Sequence, residues 1–199
     1  SIADIVSGAC PLPYQCPDGS TVYGAISCTL NFPIETLGQP QCPVGNPCDP
    51  STGNKYQQEN DYALSNTGLN FIRHYNSGLS TIERGLGYGW QHSFSARLDI
   101  KPELIRIYQA DGRGEQFALQ NGIWQSDDDS RLRLLQTESG FRLENGNGRV
   151  EVYDAKGRLL SQTDLSGQST HYQYNNNGLL TTITGPFGHS MLFAYNNAQ

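Results

Sequence analysis

The residues in this 199-residue chain that could do chemistry are its cysteines, histidines, clustered acids and tryptophans. All five cysteines, Cys10, Cys16, Cys28, Cys42 and Cys48, fall in the first quarter among prolines and glycines. Two chemistries suit such a cluster: disulfides formed in an oxidising compartment, or metal ligation. The spacings are Cys10-x5-Cys16 and Cys42-x5-Cys48, with no C-x2-C pair and no histidine nearby. Disulfides fit better than a metal centre. The spacing leaves their pairing open, and the odd number leaves one thiol free or bonded outside the chain.

The four histidines, His74, His92, His171 and His189, are isolated from one another along the chain. His74 and His92 fall on expected strands beside aromatics, where packing is the simpler role. Nucleophilic catalysis has no anchor: there is no Gly-x-Ser-x-Gly elbow, and no cysteine has a histidine beside it. Asp127-Asp128-Asp129 lacks the spacing of a calcium loop, and successive acids on a strand point to opposite faces. A solvated turn suits them better. Gly85-Leu86-Gly87-Tyr88-Gly89 opens into a strand, which offers no helix N-terminus to hold a phosphate. Asp49, Glu59 and Asp61 could be imagined as a glycosidase acid pair, but acids on a polar strand face solvent. Trp90 and Trp124 could stack on sugars, although core or inter-sheet packing suits them better. The expectation is a protein that is not an enzyme, with no cofactor and no metal site.

The elements that must position these residues are strands. Gly contributes 22 residues and Tyr 11, only 16% of the chain is charged, and there is a single Met. That profile suits an all-β protein with many tight turns. A formal charge of −6 argues against nucleic acid or an anionic membrane surface as partner. No apolar run approaches the length that spans a bilayer, so membrane insertion is not expected. The first residue is Ser1, and residues 195–199 fall inside a new repeat. A processed or cut start is therefore expected, with the natural polypeptide continuing past Gln199.

Three regions follow from texture. Residues 1–44 carry six prolines at 11, 13, 17, 33, 40 and 43 and no apolar period, which predicts an irregular, Cys-tied segment with one short strand at 20–26. Residues 45–100 form a second region. It begins with a run of turn formers and a polar strand at 55–62. Next comes an alternating strand at 69–76 with Leu69, Phe71, Arg73 and Tyr75 on one side, then a strand at 91–100 with Phe94, Ala96 and Leu98 on one face. Residues 101–199 read as short strands at 104–109, 115–119, 131–136, 140–143 and 150–153. They are parted by Asp111-Gly112, Asn121-Gly122 and Asn145-Gly146-Asn147-Gly148, dipeptides that favour type I′ hairpins.

The third region ends in a strict repeat. Tyr153-Asp154-Ala155-Lys156-Gly157-Arg158-Leu159 recurs 21 residues later as Tyr174-Asn175-Asn176-Asn177-Gly178-Leu179-Leu180, and a third copy opens at Tyr195. Thr163/Thr184, Gly167/Gly188 and Ser169/Ser190 match as well. A fixed period of this length marks an array whose units bury their apolar faces against each other. Each unit reads as strand, Gly-closed turn, strand, second Gly turn, strand. Tyr172 and Tyr174 share a face, as do Phe193 and Tyr195. The Asp or Asn after each Tyr can bond its own backbone two residues on, while Gly157 and Gly178 supply a left-handed position.

These units resemble the YD repeats of Rhs/YD-repeat proteins, whose unit reads roughly Tyr-Asp-x-x-Gly-Arg-Leu. Residues 45–56, with Phe71-Ile72-Arg73-His74-Tyr75-Asn76-Ser77 and Gly85-Leu86-Gly87-Tyr88-Gly89-Trp90-Gln91-His92-Ser93, resemble the N-terminal module of bacterial Rhs proteins. The likeness covers about residues 44–199 and does not extend to the Cys-rich start. It implies the opening of a spiralling β-sheet shell in a secreted or cell-surface bacterial polypeptide, beginning or capping the wall around a C-terminal toxin or effector. The implied partners are the rest of that polypeptide and its secretion machinery. The rival expectation is an adhesin or carbohydrate-binding module that uses the aromatic ladder.

Overall fold

The chain breaks into strands wherever glycine, asparagine or aspartate closes a turn, and the result is almost wholly β. The computed structural model describes residues 14–15, 21–22, 37–39, 53–63, 67–126 and 130–195. All five cysteines, Asp49, Asp127-Asp128-Asp129 and the last four residues lie outside these, and so do the expected disulfides and the acidic turn. Within the strand expected at 20–26, the described part is β2 (Thr21–Val22), paired antiparallel with β1 (Tyr14–Gln15).

Two compact units are present. The first draws on residues 1–62, 71–96 and 108–115, and the second on 63–70, 97–107 and 116–199. The first carries a three-stranded sheet in the order β3 (Tyr56–Ala63), β4 (Asn70–Asn76), β5 (Trp90–His92). A single 3-10 turn, Ser77–Leu79, follows β4. On β4 the more buried side is not the Leu69–Phe71–Arg73–Tyr75 side but its opposite, where His74 and Asn76 are buried. Alternation gave the two faces correctly, and polar partners decided which one goes inside.

The strand expected over 91–100 is two strands, β5 and β6 (Arg97–Ile100), separated by a turn. Side-chain bonds to the backbone interrupt it. Ser95 Oγ donates to the His92 carbonyl at 2.8 Å, and the Ser95 amide donates to the same oxygen at 2.9 Å. Serine offers the backbone an alternative to the ladder, and here it prevails. Phe94 and Leu98 are buried all the same.

The second unit holds a four-stranded sheet in the order β6, β7 (Leu104–Tyr108), β8 (Gly114–Gln120), β9 (Ile123–Gln125), and a seven-stranded sheet. Strand β9, which the sequence pattern did not reveal, closes the Asn121-Gly122 hairpin. Both turn residues have positive φ, 52° and 80°, as a type I′ turn requires. The other Asn-Gly and Asp-Gly candidates differ. At 109–113 and 145–149 only the fourth residue, Gly112 or Gly148, is left-handed. These are three-residue loops of a type I turn closed by glycine.

The seven-stranded sheet is a meander. Strands β10 (Arg133–Thr137), β11 (Gly140–Glu144), β12 (Val150–Asp154), β13 (Leu159–Thr163), β14 (Ser169–Tyr174), β15 (Leu180–Thr184) and β16 (Ser190–Leu192) lie side by side in chain order, every pair antiparallel. One side buries Leu134, Phe141, Leu143, Tyr153, Leu159, Tyr172, Leu180 and Ile183. Its hydrogen bonds are local, each strand to the next, so the sheet grows by one hairpin at a time.

Candidate functional site: repeat junctions and the aromatic face

The repeat owes its shape to five turns of one design, at 145–149, 154–158, 164–168, 175–179 and 185–189. In each, the first residue's amide donates to the fifth residue's carbonyl, and the fourth residue's amide returns to the first residue's carbonyl. The fourth residue is always glycine, with φ between 78° and 81°. Where the first residue is Asp or Asn, its Oδ1 accepts two further amides. Asp154 takes those of Lys156 and Arg158, each at 2.9 Å, and Asn175 takes those of Asn177 and Leu179, each at 3.0 Å. The acid-or-amide and the glycine of the sequence pattern are thus two halves of one turn. The same design at 145–149 falls outside the 21-residue period because the strands around it differ in length.

Each complete unit also carries a bulge. Between β12 and β13 the register jumps from Val152↔Ser161 to Tyr153↔Leu159, leaving Leu160 extra. Between β14 and β15 it jumps from Gln173↔Thr182 to Tyr174↔Leu180, leaving Thr181 extra, 21 residues on. A bulge removes a carbonyl from the ladder. The following repeat supplies the donor: Tyr174 Oη donates to the Leu159 carbonyl at 3.0 Å, and Tyr195 Oη to the Leu180 carbonyl at 2.9 Å. Tyr153 has no repeat before it, and its hydroxyl turns instead to the Glu151 carboxylate, which also accepts from Gln162 Nε2 at 2.9 Å. Tyr174 and Tyr195 are therefore ties from one repeat to the one before.

Burial raises the phenols of this face. Tyr174 is pushed up to about 12, mainly by desolvation with Asp154 adding to it, while Tyr153 and Tyr172 are held well above their ordinary range by desolvation and then by Glu151. They are neutral hydrogen-bond donors and packing groups at neutral pH. Arg158 clamps Asp154 through Nη2 at 2.6 Å and lays its guanidinium 5.2 Å over the Tyr174 ring. Cross-strand hydroxyl pairs repeat too: Thr163 with Ser169 at 2.8 Å, and Thr184 with Ser190 at 3.1 Å. Gly157 has a second duty that Gly178 lacks. Leu98 of β6 donates its amide to the Gly157 carbonyl at 2.8 Å, and a Cβ on Gly157 would strike the Leu98 carbonyl oxygen.

In the first unit the half-buried face of the three-stranded sheet is a run of stacked rings. Phe71 stacks on His92 at 5.1 Å, Tyr75 leans on Trp90 at 5.4 Å, and the Arg73 guanidinium lies 4.9 Å over Trp90. Arg73 is also gripped by Asp61, with Nη2 to Oδ1 at 2.9 Å, a bond that holds the Asp61 carboxyl below its usual range. Trp124, in the second unit, is buried edge-on to Phe141 and donates Nε1 to Gln136 at 3.4 Å. The Trp124 indole is thus part of the packing, while Trp90 is half-buried beneath Arg73.

The opposite face is polar and buried. Tyr56 Oη and His74 Nδ1 share a hydrogen bond of 2.6 Å. Desolvation lowers His74 and pushes Tyr56 up to about 12, and it drives His92 down to about 4, with His74 adding to that fall. The two histidines are separate in sequence yet electrically coupled in space. Beside them lies a fully buried pair, Asn54 and Asn76, joined by Asn54 Nδ2 donating to Asn76 Oδ1 at 2.9 Å. Asn76 Nδ2 donates to the Asp111 carbonyl at 2.6 Å, and Asn54 Oδ1 accepts from the Gly78 amide at 3.1 Å. Sequence reading missed this pair; asparagines before turns look like turn formers, and only the fold makes them internal. The Gly-rich stretch holds a carboxylate of its own chain: the amides of Gly85 and Gly87 donate to Glu83 at 2.6 and 2.7 Å.

No group of three or more His, Cys, Asp or Glu among the described residues is arranged to hold a metal ion. Glu59 and Asp61 lie on the exposed strand β3; Glu59 accepts from Gln57 and Asp61 from Arg73. What the arrangement does is bind strand to strand and repeat to repeat. It defines an all-β repeat protein, built by adding hairpins through tied turns. Residues 153–190 match the RHS Repeat, and residues 45–117 match a family described as Domain of unknown function (DUF6531). The chain belongs to the Rhs/YD-repeat proteins. Proteins of this family are generally extracellular or cell-surface. No helix among the described residues is long and apolar enough to cross a membrane.

Proposed function

We infer that this chain is a non-catalytic wall segment that begins or caps the β-sheet shell of an exported bacterial Rhs-type polypeptide, a shell enclosing a C-terminal toxin or effector. One observation carries the reading. The seven strands lie in chain order, and the bulge carbonyl of each complete repeat accepts from the tyrosine that opens the next. A sheet built so extends without limit as repeats are added, and it leaves an open edge only at its ends. Its partners are the remaining repeats and the enclosed region, together with the secretion machinery that exports them.

The test uses the full polypeptide that carries this chain. Its C-terminal region should resist limited proteolysis, and Tyr174→Asp should expose it. A C-terminal region digested as fast in the wild type as in isolation would sink the reading. The carbohydrate-binding alternative has less support, since Trp90 is covered by Arg73 and Trp124 is buried. Glycan arrays are expected to show no binding that Trp90→Ala or Trp124→Ala abolishes.

A further inference from the structure

The family match in the first unit starts at residue 45, yet a segment before it is seated deep in that unit. Leu37 is 2% exposed and packs with Leu79 and Tyr108, with Ile82 against them. The Gly38 amide donates to Asn76 Oδ1 at 2.8 Å. The Gly38 backbone passes so close to Asp111 that a Cβ there would lie 2.6 Å from the carboxylate oxygen, and Gly38 has φ +83°. Gln39 is back in solvent. A leucine goes in, a glycine passes the narrow point, and the chain leaves.

Every residue that receives this segment lies inside the matched region, and the segment itself lies outside it. The receiving groups are also held without it. Asn76 is fixed by Asn54 at one atom and by the Asp111 carbonyl at another, and Gly112 leaves room for its side chain. A site organised by its own framework and filled by a short apolar-glycine stretch has the construction of a receptor and its ligand.

We propose that the socket between Asn76, Leu79, Tyr108 and Asp111 is a peptide-binding site for an extended Leu-Gly segment, filled in cis by Leu37–Gly38. The segment around Leu37 and Gly38 is therefore strapped onto the module by an exchangeable contact.

The test is an NMR titration of the full isotope-labelled chain with a synthetic peptide of residues 34–41, taken to about 5 mM because a single anchor binds weakly. In Leu37→Asp, which empties the socket, the peptide should shift the Asn76 side-chain amide and the Asp111 and Gly112 amides saturably. In the wild type, where the strap already fills the site, it should not. A peptide with aspartate in place of its leucine should shift neither. Equal shifts in both chains, or none in a folded Leu37→Asp chain, would overturn the proposal. Should that variant lose its dispersed spectrum, a wild-type chain with a protease site inserted after Gln41 decides. Cutting it under reducing conditions removes the tether, so exchange at the Gly38 amide should speed up by roughly tenfold or more. Unchanged exchange there would equally refute an exchangeable strap.

Discussion

The two units solve the same problem, satisfying buried polar groups, in opposite ways. The first uses single-copy contacts. Asn54, Asn76 and His74 are buried, and each is bonded to particular neighbours in contacts that occur once. The second uses one device many times: the same turn, the same bulge, the same tyrosine tie. A repeated device spreads its stabilisation, so losing one copy is a local injury. A unique knot concentrates it, so losing one atom reaches through the whole unit.

The largest effect should come from cutting the knot. Asn76→Ala strands the Gly38 amide, Asn54 Nδ2 and the Asp111 carbonyl in a fully buried place. It should cost about 4 kcal/mol, with the first unit unfolding at lower urea and the second keeping its midpoint. A uniform small shift of both would break the comparison. Next is Gly157→Ala, expected to cost about 3 kcal/mol or more. A left-handed alanine is strained, and its Cβ meets the Leu98 carbonyl. Gly178→Ala has nearly the same φ, with only the Arg158 guanidinium 3.9 Å from the added Cβ, and should cost only about 1 kcal/mol. Equal costs would mean that the first repeat turn is not docked on β6.

Acid should separate the units as well. His92 titrates near 6.5 when unfolded and near 4 when folded, so the unfolded chain takes up its proton first. The first unit should hold full stability above about pH 6.5 and lose up to about 3 kcal/mol between there and pH 4. His92→Phe should flatten that slope. Protonation also places a second cation opposite Arg73, its cross-strand partner. In the repeat sheet the buried phenols are raised, so stability is intact below about pH 10 and is lost as pH climbs toward 12. Thermal melts followed separately by tryptophan fluorescence and circular dichroism across pH would test both slopes.

The smallest effect sharpens the comparison most. Tyr174→Phe removes one hydroxyl from the Leu159 carbonyl and should cost about 1 kcal/mol. Hydrogen exchange should rise around Leu159 and Leu160, in the preceding repeat, rather than around Tyr174 itself. Exchange confined to residues 174–179 would show that the tie does not couple one repeat to the last.

Much of this was legible in the chain because it is local. Turn chemistry depends on a residue and its next four neighbours, so Asp154, Gly157, Asn175 and Gly178 declare their roles in the sequence. The pairing of Tyr153, Leu159, Tyr174, Leu180 and Tyr195 on one side of the sheet follows from strand alternation at a fixed period. Harder to read were the break at Ser95, where a serine hydroxyl competes with the ladder, and β9, too short to show a pattern. The face of β4 that turns inward was hidden because both faces are mixed in polarity.

The sequence by itself determined an all-β repeat and the place of its turns, since period, glycine and asparagine act within a few residues. Only the tertiary structure decided where the tyrosine hydroxyls go, that Gly157 meets Leu98, and that Asn54, Asn76 and Gly38 meet at one point. Those contacts join residues 15 to 59 positions apart. No local rule constrains such distances; they exist because buried donors must find acceptors wherever the fold brings them.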